Sequence, residues 1–98
     1  MYNFPNPSTK IGNLIKRRRL QILVHSYIYY HLDENIVSDS VFDSWAKELA
    51  ILLRDHPNEY SDRFDFAFEG FDGTTGFHFP RDPWIEGKAV SLLKGIKD

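Results

Sequence analysis

The 98-residue chain contains no cysteine. Disulfides, thiolate metal sites and a cysteine nucleophile are therefore excluded, and the composition suits a reducing compartment such as the cytoplasm. Long apolar runs are also missing: no stretch approaches the roughly 18–20 residues of a membrane span, so no membrane association is expected. The opening residues, Met1 to Lys10, are polar and carry prolines, unlike a secretory signal. Charge of one sign does not dominate either. Lys and Arg number 12 against 14 Asp and Glu, a formal net charge of −2, so no global field draws the chain to nucleic acid. There is no Gly-x-x-x-x-Gly-Lys-Ser/Thr loop, no Rossmann fingerprint and no Gly-x-Ser-x-Gly elbow. His25, His31, His56 and His78 follow no helical metal-pair spacing, and no cysteine assists them, so no metal site is expected.

Aromatic residues, by contrast, are abundant. Rings make up 15% of the chain, with eight Phe, five Tyr and two Trp. Rings let a small chain gain buried area quickly, and they also stack on planar ligands. Hydrophobic content of 42% with 27% charged residues is that of an ordered globular domain. The length suits one domain, 1–98, burying only about 60–65% of its unfolded surface.

Residues 1–9 read as an irregular arm, with Ser8 or Thr9 capping the first helix. From Lys10 to His31, apolar residues recur at three-and-four spacing and predict that helix. Residues 32–37 form a short connection. Ser38 suits an N-cap and Asp39 a first helical turn. A second helix is predicted from Asp39 to Asp55, with Asp43 and Lys47 one turn apart, and His56-Pro57 stops it. In residues 58–82, Phe64, Phe66 and Phe68 alternate with other residues, as do Phe77 and Phe79, around a glycine-rich loop from Gly70 to Gly76. That pattern predicts a small aromatic β-hairpin or an irregular insert. Asp82-Pro83 opens a third helix. The expected fold is mainly α, with α+β as the variant: an antiparallel helix pair and a C-terminal helix. Its expected core is Leu23, Val24, Ile28, Trp45, Leu49, Leu52, Leu92 and Leu93.

The stretch Tyr27-Ile28-Tyr29-Tyr30-His31-Leu32-Asp33-Glu34-Asn35-Ile36-Val37-Ser38-Asp39-Ser40-Val41-Phe42-Asp43 is the most informative. It continues through Glu48-Leu49 to His56-Pro57. It resembles the N-terminal Ia domain of NAD-dependent DNA ligases, which binds nicotinamide mononucleotide. The family pattern is Tyr then His or Tyr at a helix end, a short acidic loop, Ser/Pro-Asp-x-x-Tyr-Asp opening the next helix, Glu-Leu, and a His-Pro stop. The resemblance covers residues 10–57; residues 58–98 diverge from it.

The resemblance implies a ligand site at Tyr29, Tyr30, Asp39, Phe42 and Asp43. Tyr30 stands where the family has His or Tyr. Phe42 replaces the usual tyrosine, which removes a hydroxyl and keeps a stacking face. Such a site has physical sense. Ribosylated nicotinamide is a flat cation that aromatic faces attract, and carboxylates balance its charge and accept from ribose hydroxyls. Asp39, Phe42 and Asp43 can share one side of a helix. Read singly, each residue is more readily an ordinary cap or core position than a ligand contact, and it is the combined spacing that points to a site. Phosphate contacts are expected from Arg17, Arg18 and Arg19, and from Thr74 and Thr75 in the glycine-rich loop, although a solvated helix face and a tight turn account for them as well. His31 could lie near the site or simply on the surface.

The ligase nucleophile sits in Lys-x-Asp-Gly, whereas this chain has Gly70-Phe71-Asp72-Gly73. The resemblance thus implies a stand-alone, phage-type relative that binds NAD or an NAD-derived nucleotide, of nicotinamide mononucleotide or ADP-ribose type, without catalysis and without a required cofactor. In a host cytoplasm it would serve as a sponge for a nucleotide immune signal. The alternative is a protein-interaction module that mimics the Ia domain and engages a host protein. A carboxylate at Asp39 or Asp43 acting in NAD hydrolysis is a third reading, with no turnover expected. A homo-oligomer closing the shallow site is a further expectation.

Overall fold

The computed structural model describes Pro7, residues 9–73, Phe79 and residues 81–97. Among them are three α-helices, α1 (Lys10–His31), α2 (Asp39–Asp55) and α3 (Pro83–Lys97), and a four-residue 3-10 helix at Asp65–Phe68, with no strand. This is the mainly α arrangement that the periodicity predicts.

α1 is the central element, and both other helices pack on it. Ile22, Leu23 and Val24 are all buried, as are Ser26, Tyr27 and Ile28. Consecutive helical residues point about 100° apart, so such runs bury α1 round most of its circumference. Thr9 begins the helix by accepting from the Gly12 N–H at 2.9 Å, while its hydroxyl donates to Glu59 at 2.9 Å. Gly12 makes that approach possible. A Cβ there would lie 2.7 Å from Pro7 Cβ and 2.9 Å from the Glu59 carbonyl oxygen.

The end of α1 is set by Asp33, whose φ of +54° is left-handed. Aspartate is among the few non-glycine residues that tolerate this region. The turn brings the Glu34 N–H within 3.2 Å of the Ile28 carbonyl oxygen. α2 then starts on Ser38, which accepts from the Val41 N–H at 3.2 Å. It buries Ala46 and Leu49 against α1, flanked by partly buried Phe42, Trp45, Leu52 and Leu53. His56 closes it, donating its N–H to the Leu52 carbonyl at 2.8 Å.

Residues 58–73 correct the hairpin expectation in favour of an irregular insert. Phe64 and Phe68 are buried while Phe66 is 64% exposed. Positions 64 and 68 meet on one side because the segment coils into the 3-10 helix. Arg19 of α1 is the reason. Its guanidinium lies 3.2 Å from Asp62 and 2.6 Å from Asp65, and 5.4 Å from the ring centres of both Tyr60 and Phe68. Asp62 also accepts from Tyr60 OH and the Phe64 N–H, both at 2.8 Å. Two carboxylates converging on one cation shorten the segment, and an extended strand would separate them. Gly73, at φ +93°, then lies on the α2 backbone, where a Cβ would come within 3.4 Å of Lys47 Cα. Phe77 lies outside the described residues.

α3 starts at Pro83, preceded by Asp82, whose carboxylate accepts from the N–H groups of Trp84 at 2.9 Å and Ile85 at 3.2 Å. Arg63 grips the same carboxylate through both terminal nitrogens. The buried face of α3 is Ile85 and Ala89. Leu92 and Leu93 were expected in the core, yet Leu92 is 38% exposed and neither joins the buried cluster. Tyr60, Phe64, Phe68 and Phe79 are in the core instead, since rings supply more apolar area per residue. Leu23, Val24, Ile28 and Leu49 are buried as expected, with Trp45 and Leu52 packed at the margin.

Three outcomes are expected. Arg19→Ala leaves Asp62 buried without its cation and should lower unfolding stability by about 3 kcal/mol in urea titration. Asp33→Val should cost about 1–2 kcal/mol because a β-branched residue resists positive φ, whereas Asp33→Gly should fold with little loss. For Asp82, the Arg63 guanidinium holds the carboxyl below its ordinary value, against burial and with help from the N–H groups of Ile85 and Trp84. A depressed carboxylate contributes stability above its unfolded value of about 3.9, which is lost as pH falls through the lower folded value. Asp82→Asn should therefore be less stable at neutral pH, with the difference closing in acid melts below about pH 3.9.

Candidate functional site

The last turns of α1, the connection after it and the first turns of α2 enclose a cleft of about 450 Å³. That volume lies in the range of small-molecule sites. Its walls come from three consecutive pieces of chain. α1 contributes His25, Ile28, Tyr29 and Tyr30; the connection contributes Glu34, Asn35, Ile36 and Val37; α2 contributes Asp39, Ser40, Phe42 and Asp43. The left-handed turn at Asp33 folds the connection back between the two helix ends.

The five residues singled out by the family pattern, Tyr29, Tyr30, Asp39, Phe42 and Asp43, all line this one cleft. Tyr29 and Tyr30 are 51% and 38% exposed. Large rings left open to water at a cleft mouth are unusual in a core-forming role. Their rings meet edge to face, with centroids 4.8 Å apart. Phe42 is half-buried and packs against the margin of the core. Asp43 is paired with Lys47 at 2.9 Å, the one-turn ion pair that the spacing predicts. Asp39, on the first turn of α2, enters none of the ion pairs among the described residues.

His25 and Glu34 also line the cleft, and the family pattern marks neither. His25 stands four residues before Tyr29, hence on the same helix face, and following that face backwards along the sequence leads to it. Its ring packs edge-on to Trp45 at 5.2 Å. Burial pushes its pKa below the ordinary imidazole value, which keeps it neutral at pH 7. Glu34 belongs to a segment that reads in sequence only as a connection.

The arginines expected at phosphate do not line the cleft. Arg19 precedes Tyr29 by ten residues of α1, roughly 15 Å along the axis. Arg19 is buried between Asp62 and Asp65. Arg18 is committed to Glu48 and to Gln21, and Arg17 is exposed farther back on α1. Thr74 and Thr75 lie outside the described residues. His31 is exposed and stacks on Tyr27 at 5.0 Å without lining the cleft. Among the described residues the cleft therefore has three carboxylates, Glu34, Asp39 and Asp43, and no lysine or arginine on its walls.

Elsewhere, no group of three or more histidine or acidic residues suited to a metal occurs among the described residues. No helix among them is long and apolar enough to cross a membrane.

A family model described as "DNA ligase-like, N-terminal NAD+-binding domain" matches residues 8–62. The matched stretch covers α1, the connection and α2, and it contains every residue of the cleft. It runs on past the His56-Pro57 stop to Asp62, one of the two aspartates on Arg19, and leaves Asp65, the 3-10 helix and α3 outside. Comparison with curated proteins and with solved structures finds no match. The match extends over more than half of the chain: the protein belongs to the family of DNA ligase-like N-terminal NAD+-binding domains.

Proposed function

We propose that the chain binds the nicotinamide–ribose end of NAD, or of an NAD-derived nucleotide, in the cleft between the α1 and α2 termini, and does not convert it. The observation that carries this reading is the convergence of Tyr29, Tyr30, Asp39, Phe42 and Asp43 on one cleft in a chain of an NAD+-binding family. The rings of Tyr29, Tyr30 and Phe42 supply faces for a planar pyridinium. Asp39 and Asp43 supply acceptors for ribose hydroxyls. The lack of a lysine in Gly70-Phe71-Asp72-Gly73 favours binding without adenylyl transfer. A binder of this kind acts as a sink for its ligand, and sequestration of a nucleotide immune signal, nicotinamide-bearing or of ADP-ribose type, is the biological role we propose for it.

A second reading, docking on a host protein, draws on the apolar surface of α3, where Val90 is 50% and Ile96 57% exposed. The two readings separate at the cleft. Under the first, Asp39→Ala and Asp43→Ala abolish function; under the second they leave partner binding intact.

Isothermal titration with nicotinamide mononucleotide, NAD and cyclic ADP-ribose isomers tests the proposal. Heat with at least one of these nucleotides is expected. Loss of a charge-assisted hydrogen bond in Asp39→Ala should weaken that binding by about tenfold or more, with helical circular dichroism unchanged because the Ser38 cap is retained. Absence of binding across the panel would reject the reading.

A further inference from the structure

Resting on the nicotinamide reading above, we infer that His25 is a ligand-recognising residue of the cleft, whose ring nitrogen accepts a hydrogen bond from the carboxamide of the nicotinamide. The family pattern does not mark this position. Of the polar side chains on the cleft walls, Tyr29, Tyr30, Asn35, Asp39, Ser40 and Asp43 are exposed. Only Glu34 and His25 are half-buried, and Glu34 is already engaged within the protein. His25 is thus the deeper polar group left over. Its ring is held edge-on to Trp45 at 5.2 Å, and it enters no hydrogen bond among the described residues.

The ring nitrogens are not sealed in. The buried polar side-chain atoms without a partner among the described residues are Arg19 Nε and Ser26 Oγ, and no atom of His25 is with them. A half-buried imidazole that is reachable and unbonded offers one donor and one acceptor that the protein does not use. Buried polar groups are normally satisfied, so a partner from outside the chain is required at this point.

The nicotinamide fits that demand. With its ring among Tyr29, Tyr30 and Phe42, the carboxamide is the substituent able to hydrogen-bond, and its NH2 donates. His25 stands one turn before Tyr29 on the same face of α1, roughly 6 Å along the axis. That is within the span of a six-membered ring and its substituent. The exposed carboxylates, Asp39 and Asp43, remain for the ribose.

Only a neutral imidazole can accept. Burial lowers the His25 pKa and so favours the accepting form. The titratable groups that share its cleft are Tyr29 and Tyr30 on α1, Glu34 on the connection, and Asp39 and Asp43 on α2, the last paired with Lys47. One turn before it on α1, Gln21 accepts from Arg18, which Glu48 of α2 also holds. A ligand that bonds to the neutral ring lowers its pKa further. By the same linkage, affinity falls as pH drops through the value of the free protein.

The experiment follows the His25 ring protons by NMR through a pH titration of the whole chain, free and saturated with nicotinamide mononucleotide. His25→Asn identifies the resonance by its loss. The free pKa is expected below 6.5, and saturation should lower it by about one pH unit, the mark of a tenfold preference for the neutral ring. In calorimetry at neutral pH, His25→Phe, which keeps a ring against Trp45 and lacks the nitrogens, should bind the mononucleotide about tenfold more weakly. The native affinity relative to that of His25→Asn should fall as pH is lowered, since the titration of the mononucleotide itself cancels in the ratio. A His25 pKa unmoved or raised by the ligand, a pH-independent ratio, or undiminished binding by a folded His25→Phe would each overturn this inference and leave the nicotinamide reading standing. Absence of binding by the native chain would overturn that reading and this inference with it.

Discussion

Burial of α1 on several faces at once is the constraint that organises the molecule. A helix with one apolar stripe needs one partner, whereas the runs Ile22-Leu23-Val24 and Ser26-Tyr27-Ile28 need cover on more than one side. α2 and α3 supply two sides. Along another stretch the cover comes from an irregular segment, and there α1 offers a cation, Arg19, in place of an apolar residue. A guanidinium buried among Asp62, Asp65 and the rings of Tyr60 and Phe68 satisfies charge and apolar contact together, because its planar faces stack while its edges donate. The core is thereby extended to a segment with little regular structure of its own.

The cleft is the by-product of how α1 and α2 are joined. The connection is short, and it reverses direction through one left-handed residue, Asp33. Residues at the end of α1 and the start of α2 must then lie side by side, whatever their chemistry. The sequence puts rings on one helix end and acids on the other. The ends differ electrostatically too, since the N-terminus of α2 carries the positive pole of its dipole and Asp39 sits there in the first turn. An aspartate favoured by the helix is thus also presented to the cleft, so one residue serves both capping electrostatics and the wall of the site.

The helix limits were legible because each carries its own local signals. Thr9, Ser38 and Asp82 accept from the first N–H groups of their helices, and His56-Pro57 ends α2 where proline forbids continuation. The alternation of Phe64, Phe66 and Phe68 misled because period two is a strand signal only when the backbone is extended. Here a cation on a distant helix, 43 and 46 residues earlier in the chain, draws two aspartates together and coils it. Nothing local to the segment announces that. Leu92 misled for a related reason: α3 has an apolar stripe longer than the surface α1 offers it, and the aromatic residues in between take the remaining core. For the site, Tyr29, Tyr30, Asp39, Phe42 and Asp43 were marked by the resemblance to the ligase Ia domain; the helix period by itself says only that Asp39, Phe42 and Asp43 can share one side of α2. Glu34 was not legible, because its part depends on how closely the connection folds over α1; His25 lies outside the family pattern and is reached only by following the Tyr29 face of α1 back by one turn. The arginine run Lys16–Arg19 has the look of a phosphate-binding feature in one dimension; in three, Arg18 and Arg19 are engaged by Glu48, Asp62 and Asp65.

Local order along the chain was enough to specify the helices and their caps, since capping, proline stops and the 3.6-residue period act over a few neighbouring residues, while the five residues at the helix junction were marked by the family resemblance. The charge of the cleft and the shape of residues 58–73 emerged with the packed fold and not before it. Both depend on which acids meet which bases across the chain, and an ion pair between distant positions leaves no mark on the periodicity of either partner.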